Sequence, residues 1–318
     1  MYYWKHPKDS KHFTFLLLAI FVLLLSSCTT LKSKPKENID PDFNPIINNP
    51  AFPKAKGPYV FIDAGHNNYH TMDDGYKPFA ALLQKDGFQV FAHEGEFTSL
   101  SLESVDILVI VNPIHRSNIE SWMLPTPSAF TLIEILTLNE WVKAGGALWL
   151  ISDHMPIPGA AEKLASSFGF NFMNGFAHNA SKKRHIRFSR ENNTLNDHVI
   201  TNGNNSEEKI NAVYTYTGHA FQIPAQATSL LEFEPNSFSL NPNTAFEFDA
   251  TTPKVNIGGW SQAAARPYGD GKLFVQGEAG MFIASLSEKD QRKIGMNSPL
   301  APDNAQFALN IIRWLSSK

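Results

Sequence analysis

From residue 59 onward, short apolar runs alternate with amphipathic stretches. Tyr59-Val60-Phe61-Ile62 precedes Asp63-Ala64-Gly65-His66, the pattern of a buried strand that ends in a polar loop. Residues 75–85 predict a helix with Phe79, Leu82 and Leu83 on one face and Gly87 past its end. A second strand is expected over 88–92 and a third over 105–111. The third, VDILVIV, is β-branched and nearly all apolar, as a strand covered on both faces should be. Residues 131–143 predict a helix with Leu132, Ile135, Leu136 and Val142 on its buried stripe, stopped by Gly145-Gly146. A fourth strand over 147–151 and a helix over 160–168 follow. The order strand–helix–strand implies an α/β fold with a mainly parallel, doubly wound sheet, helices on both faces.

Residues 170–260 break this rhythm. They are rich in Asn, Thr and Pro, with short alternating runs at 228–233 and 244–249, and read as a β-rich insertion or extension of the sheet. Gly269-Asp270-Gly271 then turns into a late strand over 272–276. The final helix begins near Pro302-Asp303, with Phe307, Ile311, Ile312 and Leu315 on its apolar face and Asp303 placed to cap it.

Composition narrows the class. The 318 residues are 43% hydrophobic and 18% charged, which suits a globular chain of one or two domains. A net charge of −3 argues against nucleic acid as the main partner. A single cysteine, Cys28, excludes a disulfide framework and a Cys-rich zinc site.

That cysteine lies in a distinctive N-terminus. Lys5, Lys8 and Lys11 precede an apolar run over 13–25, too short for the roughly 20 residues that span a bilayer. The run ends in Leu25-Ser26-Ser27-Cys28, which resembles a bacterial lipoprotein signal. The resemblance implies cleavage before Cys28 and acylation of its thiol. Thr29, in place of an aspartate, implies the outer membrane. Cleavage would remove three lysines and Asp9 and take the net charge to −5, which suggests no further basic membrane surface. The expected division is a signal peptide over 1–27, a lipidated Cys28 with a Pro- and Asn-rich tether over 28–57, and one domain over 58–318.

Eight polar groups follow the predicted strands. Asp63, His66 and Asn67 follow the first, Asn112 and His115 the third, Asp153 and His154 the fourth, and Glu278 the late one. Parallel neighbours would gather them at one sheet edge, where ligands bind in open α/β folds. The expected roles are acid–base groups for Asp63 and Glu278, and ligand contacts for Asn67, Asn112 and His115. His66, Asp153 and His154 are the candidate ligands of a divalent metal such as zinc, whose hydrolytic sites need three ligands and an open position. His219 is a weaker candidate for the same cleft. The basic run at 182–187 reads as a solvated hairpin, with an anionic lipid or wall polymer as the alternative partner.

Longer segments extend the picture. The run over 59–168 with GGALWLISDH, and the later HVITNG, YTYTGHAF and GKLFVQGEAGMF, resemble the class I glutamine amidotransferase-like superfamily. They are most like an often secreted branch without a settled activity. The resemblance implies a flavodoxin-like sheet. It breaks at the nucleophile: the fourth strand leads into Ser152-Asp153-His154-Met155-Pro156, with no cysteine and no Gly-x-Ser-x-Gly. Cysteine-based amide transfer is thereby excluded. The first functional reading is a ligand- or partner-binding protein of the cell envelope. The alternative rests on IDAGH, residues 62–66, which resembles the opening of zinc-dependent N-acetylmuramoyl amidases. That resemblance implies His66 and His115 as zinc ligands and Glu278 as general base. Asn67-Asn68 stand where that family has Gly-Gly, and the first helix has no glutamate.

Overall fold

The computed structural model describes residues 37–181 and 185–317. The predicted signal peptide, Cys28 and Lys182 to Arg184 lie outside the described residues. The predicted frame is present. β1 (Tyr59–Asp63), β2 (Gln89–His93), β3 (Ile107–Val111) and β4 (Ala147–Ile151) interleave with α1 (Lys77–Lys85), α2 (Leu132–Lys143) and α3 (Ile157–Ser167). The middle region supplies β5 (Asn171–Phe172), β6 (Phe176–His178), β7 (Ile186–Ser189), a one-turn α4 (Val199–Asn202), β8 (Ala212–Thr215), β9 (Phe221–Gln222), β10 (Thr228–Glu232), β11 (Phe238–Leu240) and β12 (Lys254–Asn256). The chain closes with β13 (Ser261–Tyr268), β14 (Gly271–Gln276), β15 (Ala284–Leu286), β16 (Lys293–Gly295) and α5 (Asn304–Ser316).

The main sheet runs β2-β1-β3-β4-β14-β13-β9-β5, with β10 also paired to β13. The first five of these strands are mutually parallel; β13, β9, β5 and β10 continue the sheet antiparallel. The β-rich middle region is therefore both extension and insertion, since β12-β11-β6 and β7-β8 form separate small sheets. The core has two layers, one on each face. Val109, Val111, Trp149 and Phe274 pack with Phe79 and Leu83 of α1 and Phe307 and Ile311 of α5. Leu108, Ile110, Leu148 and Val275 pack with Ile135 and Leu138 of α2 and Leu164 of α3. Trp149, fully buried, meets Phe79, Phe274 and Phe282 edge-on at ring separations of 5.2–5.7 Å. Such pairs contribute roughly 0.5–1.5 kcal/mol each beyond area burial.

Four local expectations differ. Leu132 and Leu136 of α2 are exposed, and Glu134 is buried in their place. Its side chain closes a capping box with Thr131 and reaches into the sheet edge, which rotates the helix away from the stripe its leucines suggest. Residues 244–249 form no strand: Thr244 makes one bridge to Met123, and a turn and irregular backbone follow. Asp303 does not cap α5 through its side chain. Its carboxylate accepts the N–H groups of Asn211 and Ala212 and so docks β8 on the helix start. Residues 37–57, read as tether, pack on the domain. Ile39 bridges Ser285, and Phe43, Ile47 and Phe52 cover the core. Apolar side chains spaced among the prolines carry that packing.

Candidate active site at the carboxyl ends of the parallel strands

Five parallel strands put the ends of β1, β2, β3, β4 and β14 on one edge. Two groups of polar side chains occupy it. The first lies at β1 and β3, where strand order reverses. Asp63 is fully buried at the end of β1. His66 Nδ1–H donates to its carboxylate at 2.9 Å, the Gly65 N–H donates at 3.0 Å and the Asn68 amide at 2.9 Å. His66 Nε2–H donates to Glu134 Oε1 at 2.8 Å. Glu134 also accepts from the Phe97 N–H and from the Thr131 N–H and hydroxyl. The imidazole stacks on Phe97 at 4.5 Å and lies 4.8 Å from Phe130. Burial opposes a charge on His66, but the hydrogen bonds and charges of Asp63 and Glu134 outweigh it and raise its pKa. Burial likewise opposes the Glu134 charge, and the Thr131 and His66 contacts outweigh it, holding its pKa below the usual range. This is a closed carboxylate–imidazolium–carboxylate bridge. It ties the loop after β1 to α2.

That closure bears on two expectations. Asp63, expected as an acid–base group, has a carboxylate that is fully buried and engaged by its own loop. His66 offers a metal no lone pair, because both ring nitrogens face carboxylates. Gly65 is required because a Cβ there would strike the backbone of Gly95 in the loop after β2. Asn67, at φ +50°, holds the Ile114 carbonyl, and His115 Nδ1 accepts the Ser117 N–H to cap a 3-10 turn. Both therefore shape the loops after β1 and β3. Among the described residues no cluster of three or more His, Cys, Asp or Glu can hold a metal ion.

The second group lies at β4 and β14. Asn112, at φ +47°, accepts the Asp153 N–H through its side-chain oxygen at 2.9 Å and so joins the ends of β3 and β4. Asp153 accepts the His154 N–H at 2.7 Å, and His154 Nδ1–H donates to the Met155 carbonyl. Both side chains are half-buried. Glu278 is 1% exposed, and its two oxygens accept the N–H groups of Gly280 (2.7 Å) and Met281 (2.8 Å). Burial first, then the nearby Asp153 charge, push its carboxyl well above the usual range. The same two causes act on Tyr76, which Glu278 also faces; its hydroxyl donates to the Ala279 carbonyl. Asp153, Glu278 and Tyr76 thus share one neighbourhood, although 125 sequence positions separate the two acids. Gly218, at φ +67°, abuts Gly277 and the Cβ position of Glu278, which leaves no room for a side chain. His219 is fully buried against Phe172, and burial lowers its pKa to about 3. It stays neutral, with no partner for Nε2 among the described residues.

An aromatic wall stands over Asp153 and His154. His154 stacks on Phe176 at 4.5 Å, and Phe246 meets it edge-on at 4.9 Å. Trp122 lies 5.9 Å from His154, 6.2 Å from Phe246 and 5.4 Å from Tyr69. Phe246 is 59% exposed and sits at φ +66°, a left-handed conformation that a bulky residue adopts only under constraint. Glu134, Trp122 and Phe246 were not legible as site residues from the sequence. Thr131-x-x-Glu134 carried a capping-box signal; the two aromatics sit in loops with no periodicity to mark them.

No known family model matches the chain, and no curated protein matches it. Solved structures do resemble it. The mmIFT52 N-terminal domain superposes with a TM-score of 0.56 at 15% identity, covering 81% of this chain and 98% of that one, a likeness of fold alone. A ThuA-like protein from Bacteroides uniformis ATCC 8492 gives a TM-score of 0.46 at 12% identity, with 83% and 94% covered. The cytoplasmic protein STM1381 from Salmonella typhimurium LT2 gives 0.45 at 14% identity, with 82% and 100% covered.

Proposed function

We propose that the chain is a lipid-anchored envelope protein. Its amidotransferase-like α/β domain binds a ligand at the β4–β14 edge and lacks cysteine amidotransferase activity. The anchor rests on the Leu25-to-Cys28 motif. The lack of amidotransferase chemistry rests on the end of β4. Ser152, first after the strand, is fully buried, and its hydroxyl has no partner among the described residues, so no base activates it. The observation that carries the binding reading is the aromatic wall over a half-buried carboxylate. The exposed ring of Phe246, backed by the partly buried Trp122, suits the apolar face of a sugar ring. Asp153, half-buried beside His154, suits its hydroxyls. A saccharide-bearing envelope fragment is the ligand class that combines those needs. Metal-dependent hydrolysis gains no support, since His66 is consumed by its two carboxylates.

Soluble muropeptides from a peptidoglycan digest provide the probe. Saturation-transfer NMR on the full chain is expected to show contact, and Phe246→Ala and Asp153→Asn are each expected to weaken binding about tenfold, roughly 1.4 kcal/mol. No saturation transfer, or affinity untouched by both substitutions, would overturn the assignment.

A further inference from the structure

A separate cavity of about 300 Å³ opens on the far side of Tyr216. Arg292 and Lys293 supply its cationic groups, His185 an imidazole, and Tyr214, Tyr216 and Ser298 its hydroxyls. Among the described residues no aspartate or glutamate lines it. The nearest carboxylates stand outside. Asp40 is 3.4 Å from the Lys293 ammonium, Asp290 is 4.0 Å from Arg292 Nε, and Glu278 lies behind Tyr216. Tyr216 is fixed by accepting the Gly295 N–H at 2.6 Å. The wall is thus rigid where it carries hydroxyls and cationic where it meets solvent.

We propose that this cavity binds a phosphate group. A guanidinium fork, an ammonium and several hydroxyl donors around a space without carboxylates match the many acceptor oxygens of a phosphate. The chain's own path identifies the source. Residues 37–40 join the domain beside this cavity: the Asp40 N–H donates to the Ala284 carbonyl, and Asp40 pairs with Lys293. Residues 28–36 can reach at most roughly 30 Å when extended. A lipid on Cys28 would therefore keep the cavity close to a membrane, so the phosphate belongs to an anionic phospholipid headgroup. That last step rests on the lipid-anchor reading; the phosphate site itself does not.

The test is calorimetric titration of the full chain with inorganic phosphate, with dihexanoyl phosphatidylglycerol and with dihexanoyl phosphatidylcholine, each below its micellar concentration. Wild type is expected to bind phosphate and to bind the glycerol lipid more tightly than the choline lipid. Arg292→Glu, with circular dichroism confirming the fold, is expected to weaken the first two by about tenfold or more. Binding unaffected by Arg292→Glu, or absent for all three probes, would refute the site. Phosphate binding without preference for the glycerol lipid would refute the headgroup source and leave the phosphate site standing. None of these outcomes depends on Phe246 or Asp153.

Discussion

His66→Ala is expected to destabilise the domain by about 3–5 kcal/mol, the cost of leaving buried charges without their partner. Asp63 and Glu134 are both buried, and the imidazolium is the cation they share. Removing it also opens space against Phe97 and Phe130. His66→Gln, which can donate to one carboxylate and carries no charge, is expected to lose less. The pH dependence separates charge from packing. The raised pKa of His66 gives stability that is fully present below its ordinary value of 6.5 and is lost as pH rises through the higher folded value. The lowered pKa of Glu134 gives stability present above 4.5 and lost as pH falls through the lower folded value. Urea unfolding should therefore show a plateau between these limits with a decline on both sides. His66→Ala should remove the alkaline decline. A loss under 1 kcal/mol, or an unchanged alkaline limb, would show the bridge to be no more than a surface-grade ion pair.

Arg313→Ala is the second large loss, again about 3–5 kcal/mol. Arg313 lies on α5 and grips the fully buried Asp86 at the end of α1 through Nε (2.8 Å) and Nη2 (2.6 Å). Its third nitrogen donates to Glu208 at 2.8 Å, and Nη2 also reaches the Asn49 carbonyl. Asp86 in turn accepts the Ala51 N–H. One guanidinium thus joins two helices to the segment around residues 49–52. The consequence is local as well as global: limited proteolysis should cut within residues 37–57 sooner in the variant, before the sheet core is attacked. Equal cleavage in both proteins, with an unchanged urea midpoint, would contradict the role.

Particular residues show what the sequence could and could not reveal. The five parallel strands were legible because each is a short apolar run bounded by turn residues, and their carboxyl ends then placed Asn112, Asp153, His154 and Glu278 on one edge. Burial on both faces makes such strands continuous in hydrophobicity, and that signal needs no partner to be read. Partnership itself was not legible. Asp63 looked like an acid–base group and His66 like a metal ligand because a polar loop after a strand carries them. The carboxylate that closes on His66 comes from position 134, on a helix whose apolar stripe concealed it. Leu132 and Leu136 misled for the same reason: helical periodicity fixes a stripe, while the Glu134 contacts fix the rotation. The β-rich region was recognised as such, but pairings like β6 with β11 join segments far apart in sequence, and short alternating runs do not specify them. Phe246 lay inside one such run and turned out to be a constrained loop residue.

Asp153 and Glu278, distant in sequence, share one neighbourhood because their strands run the same way. Carboxyl-selective carbon NMR on the full chain, following Glu278 through a pH titration, tests it most directly. The account predicts a midpoint well above 4.5 that moves down in Asp153→Asn, because the substitution removes a neighbouring negative charge. A Glu278 midpoint near 4.5 that ignores Asp153→Asn would contradict it.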